Sequence, residues 1–456
     1  MIGETKVFSS FFSTMELDVL VCSTSGKPVF RHTLSTLGTN RPTEEDDSST
    51  SSFASSLQGL LSFVTCTQQE ELLGLEAAAC RGVFRSTDNL TFAAIERSVQ
   101  EDNNVHIASE CLQHLLKLLQ HQILFVLSDR GLDVLRRQPG YDLRELLNGT
   151  EKVTTSLTEL WSTTPSWRLK DWGAPFVRLK PERRRDVARA LEFESKENST
   201  STMICGLLLA KEQVVSIAQP NKKQFSMLVD DLLLLINFVY HTPSLAKSET
   251  WTPICLSNFN ARQQSPEQFP HFQAKKEFIA QRLEEIGAME AIDFSVKNHS
   301  EWQPHSDLPL LHHFIYKNEL TGECAEPELK FPFDDEDFGT RLELLNQYAK
   351  LQHLMFRSAD SQTRESQALG KRLSSLQEAT TARMVYERSD TGLFVGMCSA
   401  DYRLFAWFDS LATISDAREQ MQILLDRLRH DEELMSVALF LASGGFPSVG
   451  SLGMWP

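Results

Sequence analysis

The feature that most constrains the fold is a pair of short apolar runs followed by a long apolar segment. Met203–Ala210 and Gln213–Ala218 are separated only by Lys211-Glu212. A two-residue polar break between runs rich in Leu, Val and Ile predicts a β-hairpin. Phe225–Tyr240 is apolar enough for a buried helix, and Thr242-Pro243 would end it because the residue before a proline avoids the helical conformation. The predicted order is therefore strand, strand, helix.

The same order of elements recurs on both sides of this segment. A hairpin and two further strands precede a helix near the start of the chain, and three strands precede a helix near its end. The elements are predicted at Leu17–Cys22, Pro28–His32, Glu76–Phe84, Leu90–Val99 and Val105–Leu127, and at Ala382–Glu387, Leu393–Cys398, Tyr402–Phe408 and Ser415–Glu433. Repeated antiparallel sheets flanked by helices predict the α+β class.

These copies predict three domains and a tail. We place the first domain at residues 1–160, the second at 170–260, the third at 273–440 and a mobile tail at 441–456. The first domain contains a run of Ser, Thr, Asp and Glu near 39–56. We expect this run to be a loop or a disordered insertion because it offers almost nothing to bury. A short buried helix is predicted directly after it, at Leu57–Cys66.

Charge, hydropathy and cysteine usage indicate a cytoplasmic protein without affinity for nucleic acid. The net charge of −16 argues against a general nucleic-acid binder, which needs a basic face to release the counterions of phosphates. No window reaches the roughly 20 apolar residues of a spanning helix, and the N-terminus does not resemble a secretory signal. The 8 cysteines form no Cys-x-x-Cys pair, which favours reduced core thiols.

Motifs for bond chemistry are missing from the sequence. There is no phosphate-binding glycine loop, no dinucleotide-binding glycine motif and no nucleophile elbow. The cluster richest in metal-ligand residue types comprises His299, His305, Asp307, His312 and His313. For this cluster we favour a polar loop that enters a strand over a metal site. We therefore expect no catalytic residue, no cofactor and no metal.

One basic cluster lies on the helix predicted at Lys180–Leu191. Its members are Lys180, Arg183, Arg184, Arg185 and Arg189. A solvated helix face explains them without any ligand, and Glu182 and Asp186 dilute their charge. The alternative is contact with anionic lipid or with an acidic partner.

Three short motifs stand out from the rest of the sequence. The first is Trp251-Thr252-Pro253-Ile254-Cys255-Leu256, which follows the central hairpin and helix. The second is Tyr141-Asp142-Leu143-Arg144, followed by Leu146-Leu147 and Gly149-Thr150-Glu151. The third is SGKPVF at Ser25–Phe30, followed after an insertion by LQGLLSF at Leu57–Phe63. Together they resemble the Mon family, the vacuolar-fusion subunits of the Mon–Ccz complex. The resemblance covers residues 17–260 and, more loosely, 310–435.

This resemblance implies three longin domains and a heterodimer with a Ccz-type longin subunit. Such a pair acts as a guanine-nucleotide exchange factor for a late-endosomal Rab GTPase of the Rab-seven class. The family serves endosome maturation, vacuole fusion and autophagy. The resemblance also implies peripheral recruitment to the late-endosomal or vacuolar membrane, with a phosphoinositide as one candidate lipid. Exchange is not bond chemistry, because the exchanger acts by binding the nucleotide-free GTPase more tightly.

Carried onto this chain, the resemblance places the partner- or Rab-facing surface in the first domain. The candidates are Gly26, Lys27 and Pro28 of the hairpin and Leu57, Leu60, Leu61 and Phe63 of the helix. For the helix residues a competing interpretation is stronger, since Leu and Phe at this spacing usually face their own sheet. No motif identifies the residues that drive nucleotide release.

Two points limit the resemblance. The family continues past Leu256 through an apolar strand, whereas residues 258–272 here are polar and proline-rich. Either the third domain is incomplete or the gene model skips an exon.

The alternative function is a longin-type trafficking scaffold or adaptor without exchange activity, of the Fuzzy or Hermansky–Pudlak kind.

Overall fold

A computed structural model describes most of the chain as two compact units. The described residues are 15–35, 47–77, 80–87, 89–98, 107–147, 149–191, 203–218, 227–243, 251–257, 268–299, 302–329, 338–368, 383–431 and 433–434. The first unit comprises Met1–Lys170, Asn237–Ala246 and Leu329–Lys350. The second comprises Asp171–Ile236, Lys247–Glu328 and Leu351–Pro456.

A five-stranded antiparallel sheet forms the centre of the first unit. Its strands are β1 (Met15–Ser23), β2 (Pro28–Ser35), β3 (Gly74–Ala77), β4 (Cys80–Thr87) and β5 (Leu90–Ser98), in the order β2-β1-β5-β4-β3. Every side chain from Leu17 to Cys22 is buried, as expected of a strand with both faces covered. The single strand predicted at Glu76–Phe84 is wrong, because the chain reverses there and Ala77 pairs with Cys80.

Helices cover both faces of this sheet. Helix α1 (Asp47–Gln68) lies on one face, where its Leu57 and Leu61 share a core with Phe84. Helix α2 (Ser109–Arg137) lies on the other face, since Arg85 donates a hydrogen bond to Gln120 of α2. Consecutive strand residues point to opposite faces of a sheet, so α1 and α2 sandwich it. The chain continues through α3 (Arg144–Leu147), α4 (Glu151–Thr163) and α5 (Pro165–Arg168).

Helix α1 corrects the prediction of a loop or disordered insertion near 39–56. Residues 47–56 of that run are helical, and the part at 39–46 lies outside the described residues. Ala54 is fully buried and continues the apolar face of Leu57 and Leu61 at helical spacing. A single buried alanine among serines was too weak a signal to reveal the helix start.

The central hairpin is confirmed in the second unit. Strand β7 (Met203–Ala210) pairs with β8 (Gln213–Ala218) on one side and with β9 (Trp251–Ser257) on the other, in the order β8-β7-β9. Lys211 and Glu212 have φ values of 43° and 62°, the left-handed conformation that a two-residue hairpin turn requires. The remaining elements of this stretch are β6 (Ala174–Pro175), α6 (Pro181–Leu191), α7 (Val229–His241), α8 (Gln268–Glu285) and α9 (Ala288–Lys297). Side chains of α6, β7, β8, α8 and α9 share one apolar core.

A six-stranded sheet forms the rest of the second unit. Its further strands are β10 (Leu311–Asn318), β11 (Glu323–Ala325), β12 (Arg383–Ser389), β13 (Gly392–Cys398) and β14 (Tyr402–Phe408), in the order β12-β13-β14-β10-β11-β6. Helix α11 (Ile414–His430) packs its apolar residues on this sheet, and α10 (Phe338–Ala368) precedes β12. The predicted C-terminal strands and helix are thus confirmed, as is the α+β class. The predicted domain boundaries stay predictions.

Candidate functional site

The turn between β1 and β2 is held by its own backbone and by the hydroxyl of Ser23. Ser23 N donates to Lys27 O at 2.8 Å, and Gly26 N donates to Ser23 O at 2.8 Å. The Ser23 hydroxyl accepts a hydrogen bond from Lys27 N at 3.2 Å. Lys27 is exposed at the tip, whereas Gly26 and Pro28 are buried. The turn therefore presents one cation on a fixed backbone.

Gly26 is required at this turn for two separate reasons. Its φ of +81° is a conformation that other residues rarely adopt. A Cβ at this position would also lie 3.1 Å from the Cα of Ser55 in α1, which is closer than most Cβ contacts in proteins. Ser55 Oγ donates a hydrogen bond to Gly26 O at 3.4 Å. The turn and the helix that carries the other predicted contact residues are therefore in direct contact.

The second sequence motif lies against the same turn. Ser25 Oγ donates to Pro139 O at 3.0 Å, which places the segment Pro139–Arg144 beside the SGKP hairpin. We call Ser23–Pro28, Ser55 and Pro139–Arg144 the turn site. The structure thus brings together two motifs that are separated by more than a hundred residues in the sequence.

A charged pair occupies the motif side of the turn site. Arg144 donates to both carboxylate oxygens of Asp142, with Nε–Oδ1 and Nη2–Oδ2 distances of 3.1 Å and 2.9 Å. This hydrogen-bonded guanidinium lowers the pKa of Asp142, and the charge of Lys27 adds to the effect. The carboxylate of Asp142 is therefore ionised and is oriented by a bidentate partner.

Sequence reasoning missed Ser55 and Pro139 as members of the turn site. Ser55 lay in the run predicted to be a loop or disordered insertion, where the spacing of Ala54, Leu57 and Leu61 was the available signal for a helix. Pro139 takes part through its backbone carbonyl. Any residue type can make such a contact, so the sequence does not reveal it.

The four apolar candidates on α1 divide into two pairs. Leu57 and Leu61 are each 7% exposed and pack on Leu20, Phe84 and neighbouring core residues. A role in partner contact does not fit these two residues, because folding of their own domain buries them. Leu60 and Phe63 are 40% and 66% exposed. Of the four candidates, Leu60 and Phe63 therefore offer apolar surface to a partner.

An edge strand adds further apolar surface directly after α1. β3 lies at the end of the sheet, and each of its residues is exposed. Leu73, just before the strand, is 62% exposed, and Leu75 within it is 44% exposed. Edge strands present unpaired backbone groups to which another strand can add. We call Leu60, Phe63, Leu73, Leu75 and β3 the pairing face.

One residue of the predicted basic cluster on α6, Arg184, is buried and does not contribute to an exposed basic surface. Arg184 is only 4% exposed, its Nη1 lies 3.2 Å from Glu323, and its Nη2 donates to Val177 O at 3.0 Å. Burial lowers the pKa of Arg184, while Glu323 opposes this effect. Membrane contact by Arg184 is therefore wrong, because its charge is used inside the unit. Lys180, Arg183, Arg185 and Arg189 are exposed.

The remaining signature residues have local structural roles. Gly149 has a φ of +86°, Thr150 Oγ1 donates to Leu147 O at 2.6 Å, and Glu151 begins α4. The backbone of Trp251, Pro253 and Cys255 runs in β9 opposite β7, and their side chains lie outside the description. The strongest family motif thus forms the outer strand β9 of the three-stranded sheet and lies outside the turn site.

The expectation of no metal site concerns the histidine cluster in particular. His305 and His313 are buried, and His312 lies 3.5 Å from Asp409. No group of three or more His, Cys, Asp or Glu side chains within the described ranges is arranged to hold a metal ion. None of the helices in the described part of the chain is long and apolar enough to cross a bilayer.

Comparison with known proteins identifies the domains in this chain. Residues 18–157 match the first longin domain of FUZ, MON1 and HPS1, residues 202–271 match the second, and residues 310–432 match the third. Within the first match lie the turn site and the pairing face. The three matches follow the order of the three sheets along the chain.

Individual relatives match over most of the chain. Vacuolar fusion protein MON1 homolog A of Bos taurus is 27% identical over 368 residues, which are 76% of this chain and 61% of the relative. The Gallus gallus homolog is 27% identical over 85% of this chain and 70% of its own length. Protein SAND of Takifugu rubripes is 25% identical over 74% of this chain and 64% of its own length. The chain thus spans less than two thirds of two of these relatives.

Proposed function

Since the chain belongs to the proteins built from the three longin domains of FUZ, MON1 and HPS1, we propose that it is one subunit of a heterodimeric guanine-nucleotide exchange factor. The substrate is a late-endosomal Rab GTPase of the Rab-seven class, and the partner is a Ccz-type longin subunit. The role is in vesicle-mediated transport, endosome maturation, autophagy and fusion with the vacuole or lysosome. The vacuolar fusion names of the relatives support this role.

The single observation that carries the proposal is the pairing face of the first longin domain. Phe63 on α1 and Leu73 expose 66% and 62% of their surface, and Leu73 directly precedes β3, an edge strand of the sheet. Large exposed apolar side chains mark protein interaction sites. A second longin domain has the matching chemistry, because its own edge strand can continue the sheet and its apolar residues can cover Leu60 and Phe63.

The turn site supplies the polar surface for the GTPase. Lys27 is exposed, and its backbone is fixed by hydrogen bonds within the turn. A cation on a rigid turn can replace part of the positive charge that a GTPase loses when Mg²⁺ leaves. Because the turn is already ordered, little conformational entropy is lost on binding.

To accelerate nucleotide release, the complex needs different affinities for two states of the GTPase. It does not need a side chain that reacts. The complex must bind the nucleotide-free GTPase more tightly than the nucleotide-bound form. A thousandfold acceleration corresponds to about 4 kcal/mol of such preference in the transition state. Several polar and apolar contacts can supply this amount without a catalytic residue. The chain is therefore proposed to act without bond-making chemistry and without a cofactor.

Peripheral membrane recruitment is proposed to use the exposed cations of α6. They are Lys180, Arg183, Arg185 and Arg189. Each cation near an anionic surface contributes about 1 kcal/mol, although Arg189 pairs with Asp186 at 3.3 Å. Such a patch suits a late-endosomal or vacuolar surface that contains phosphoinositides.

The test is a nucleotide-release assay with the full chain co-expressed with a Ccz-type partner. Release of a fluorescent GDP analogue is measured from a panel of Rab GTPases. We expect acceleration for the Rab-seven class and no comparable effect for Rabs of other compartments. No acceleration for any Rab, from a complex that is folded and paired, would overturn the exchange proposal. That result would favour a longin-type scaffold or adaptor, which the kinship with FUZ and HPS1 also allows.

A further inference from the structure

Three described residues that follow α11 lie against two arginines of the second unit. We call these residues, Asp431, Glu433 and Leu434, the acidic strap. Arg178 Nη2 lies 3.1 Å from Asp431 Oδ2 and 2.9 Å from Glu433 Oε2. Arg184 Nη2 donates to the backbone oxygen of Glu433 at 3.2 Å. Two arginines therefore recognise both the carboxylates and the backbone of one short acidic segment.

Both arginines are held in place by residues that do not belong to the strap. Arg178 stacks on the indole ring of Trp302 at 4.9 Å, and its backbone oxygen accepts a hydrogen bond from Ser295. Arg184 is fixed by Glu323 and by the carbonyl of Val177. Trp302 Nε1 also donates to Asp431 Oδ2 at 3.3 Å. Arg178, Arg184 and Trp302 therefore form a preorganised set of donors for carboxylates.

Few apolar contacts fasten the strap. Leu434 is only partly buried against the core of the six-stranded sheet, and the Glu433 side chain is 39% exposed. A small pocket of about 10 Å³ lies beside the strap, lined in part by Tyr316, Asn318 and Glu323. The Nε atoms of Arg178 and Arg184 have no hydrogen-bond partner among the described residues. A segment held mainly by charge opens at low cost.

We propose that Arg178 and Arg184 form a binding site for an acidic peptide segment, which the acidic strap of this chain occupies reversibly. When the strap leaves, the arginines and Trp302 accept an acidic segment supplied in trans. The strap competes strongly because it is tethered, with an effective concentration in the millimolar range. This site lies outside the turn site and the pairing face, and it is independent of the exchange proposal.

The test uses the full chain and a fluorescent peptide that matches residues 429–436. The double substitution Asp431→Asn and Glu433→Gln weakens the strap but keeps its shape. We expect the peptide to bind this variant about tenfold or more tightly than the wild type, because closing reduces the open fraction. Adding Arg178→Gln to the variant should remove the gain. Equal binding by the wild type and the strap variant would overturn the proposal.

Two further measurements keep the test decisive. Asp307→Asn removes an exposed carboxylate that pairs with Arg427, so this control should leave peptide binding at the wild-type level. Arg178→Gln alone should speed hydrogen exchange at the amides of Glu433 and Leu434 severalfold, since their protection depends on the closed strap. If the strap variant fails to fold, unchanged exchange in the Arg178 variant still contradicts the proposal.

Discussion

At the scale of single residues, Gly26 shows why the turn site could be located only in part from the sequence. The SGKP motif marks a turn, and a glycine there agrees with a positive φ. The second constraint on Gly26 is the approach of Ser55, and no local pattern encodes a contact with another element. The same holds for Arg184, whose burial depends on Glu323, far away in the sequence.

Replacing Lys27 by Glu tests whether the turn site contacts the GTPase. The lysine is exposed and its turn is held by backbone hydrogen bonds, so we expect the fold and partner pairing to persist. The substitution reverses the charge that we propose to face the GTPase, and loss of one strong charged contact corresponds to about a tenfold slower nucleotide release. Lys152→Glu, an exposed lysine of α4, is the matched control. Equal release rates for the two variants would exclude Lys27 from the GTPase contact.

His313 gives the second unit a specific dependence on pH. Burial, together with the neighbouring His305, lowers its pKa from 6.5 to about 3. Between these values the unfolded chain binds a proton that the folded chain does not, so the free energy of unfolding falls as the pH falls. The slope for one proton is about 1.4 kcal/mol per pH unit.

We expect His313→Gln to flatten this dependence between about pH 6 and pH 4, measured by denaturant unfolding of the full chain. Burial of Glu326 raises its pKa to about 7, which acts in the opposite direction, so the difference between wild type and variant is the quantity to follow. A difference that does not change with pH would contradict a neutral, buried His313.

At the scale of elements, the sequence predicted those strands and turns whose formation depends on neighbouring residues. The hairpin β7–β8 and strands β13 and β14 follow from short apolar runs between polar turns. The start of α1 was missed because Asp47–Ser56 is dominated by serine and threonine, and one alanine carries its buried face. The parallel pairing of β6 with β11 was also missed, because two residues are too few to show any alternation.

The exposed half of α1 provides a test of pairing. Leu60→Asp with Phe63→Asp places charges where a partner would bury apolar surface, while the core residues Leu57 and Leu61 remain. We expect co-purification with the Ccz-type partner to be lost and the melting temperature of the chain alone to change little, because both positions are exposed. Leu411→Asp, at a residue 86% exposed in the second unit, serves as the control. Retained pairing in the double variant would exclude α1 from the interface.

At the scale of the whole molecule, the proposed interaction surfaces are divided between the two units. The turn site and the pairing face both belong to the first unit, whereas the exposed cations of α6 and the acidic strap belong to the second. The repeat of sheets and helices could be predicted because each copy carries its own apolar pattern. Two compact units could not be predicted from three copies, because packing between elements depends on contacts distant in sequence.

The rate of nucleotide release from a Rab-seven class GTPase tests the central claim most directly. It should be measured for the full chain alone, the Ccz-type partner alone, the wild-type complex, and the partner mixed with the chain that carries Leu60→Asp and Phe63→Asp. We predict acceleration of about a hundredfold or more by the wild-type complex and near-intrinsic release in the other three samples. Full acceleration by the double variant, or none by a well-paired wild-type complex, would contradict this account.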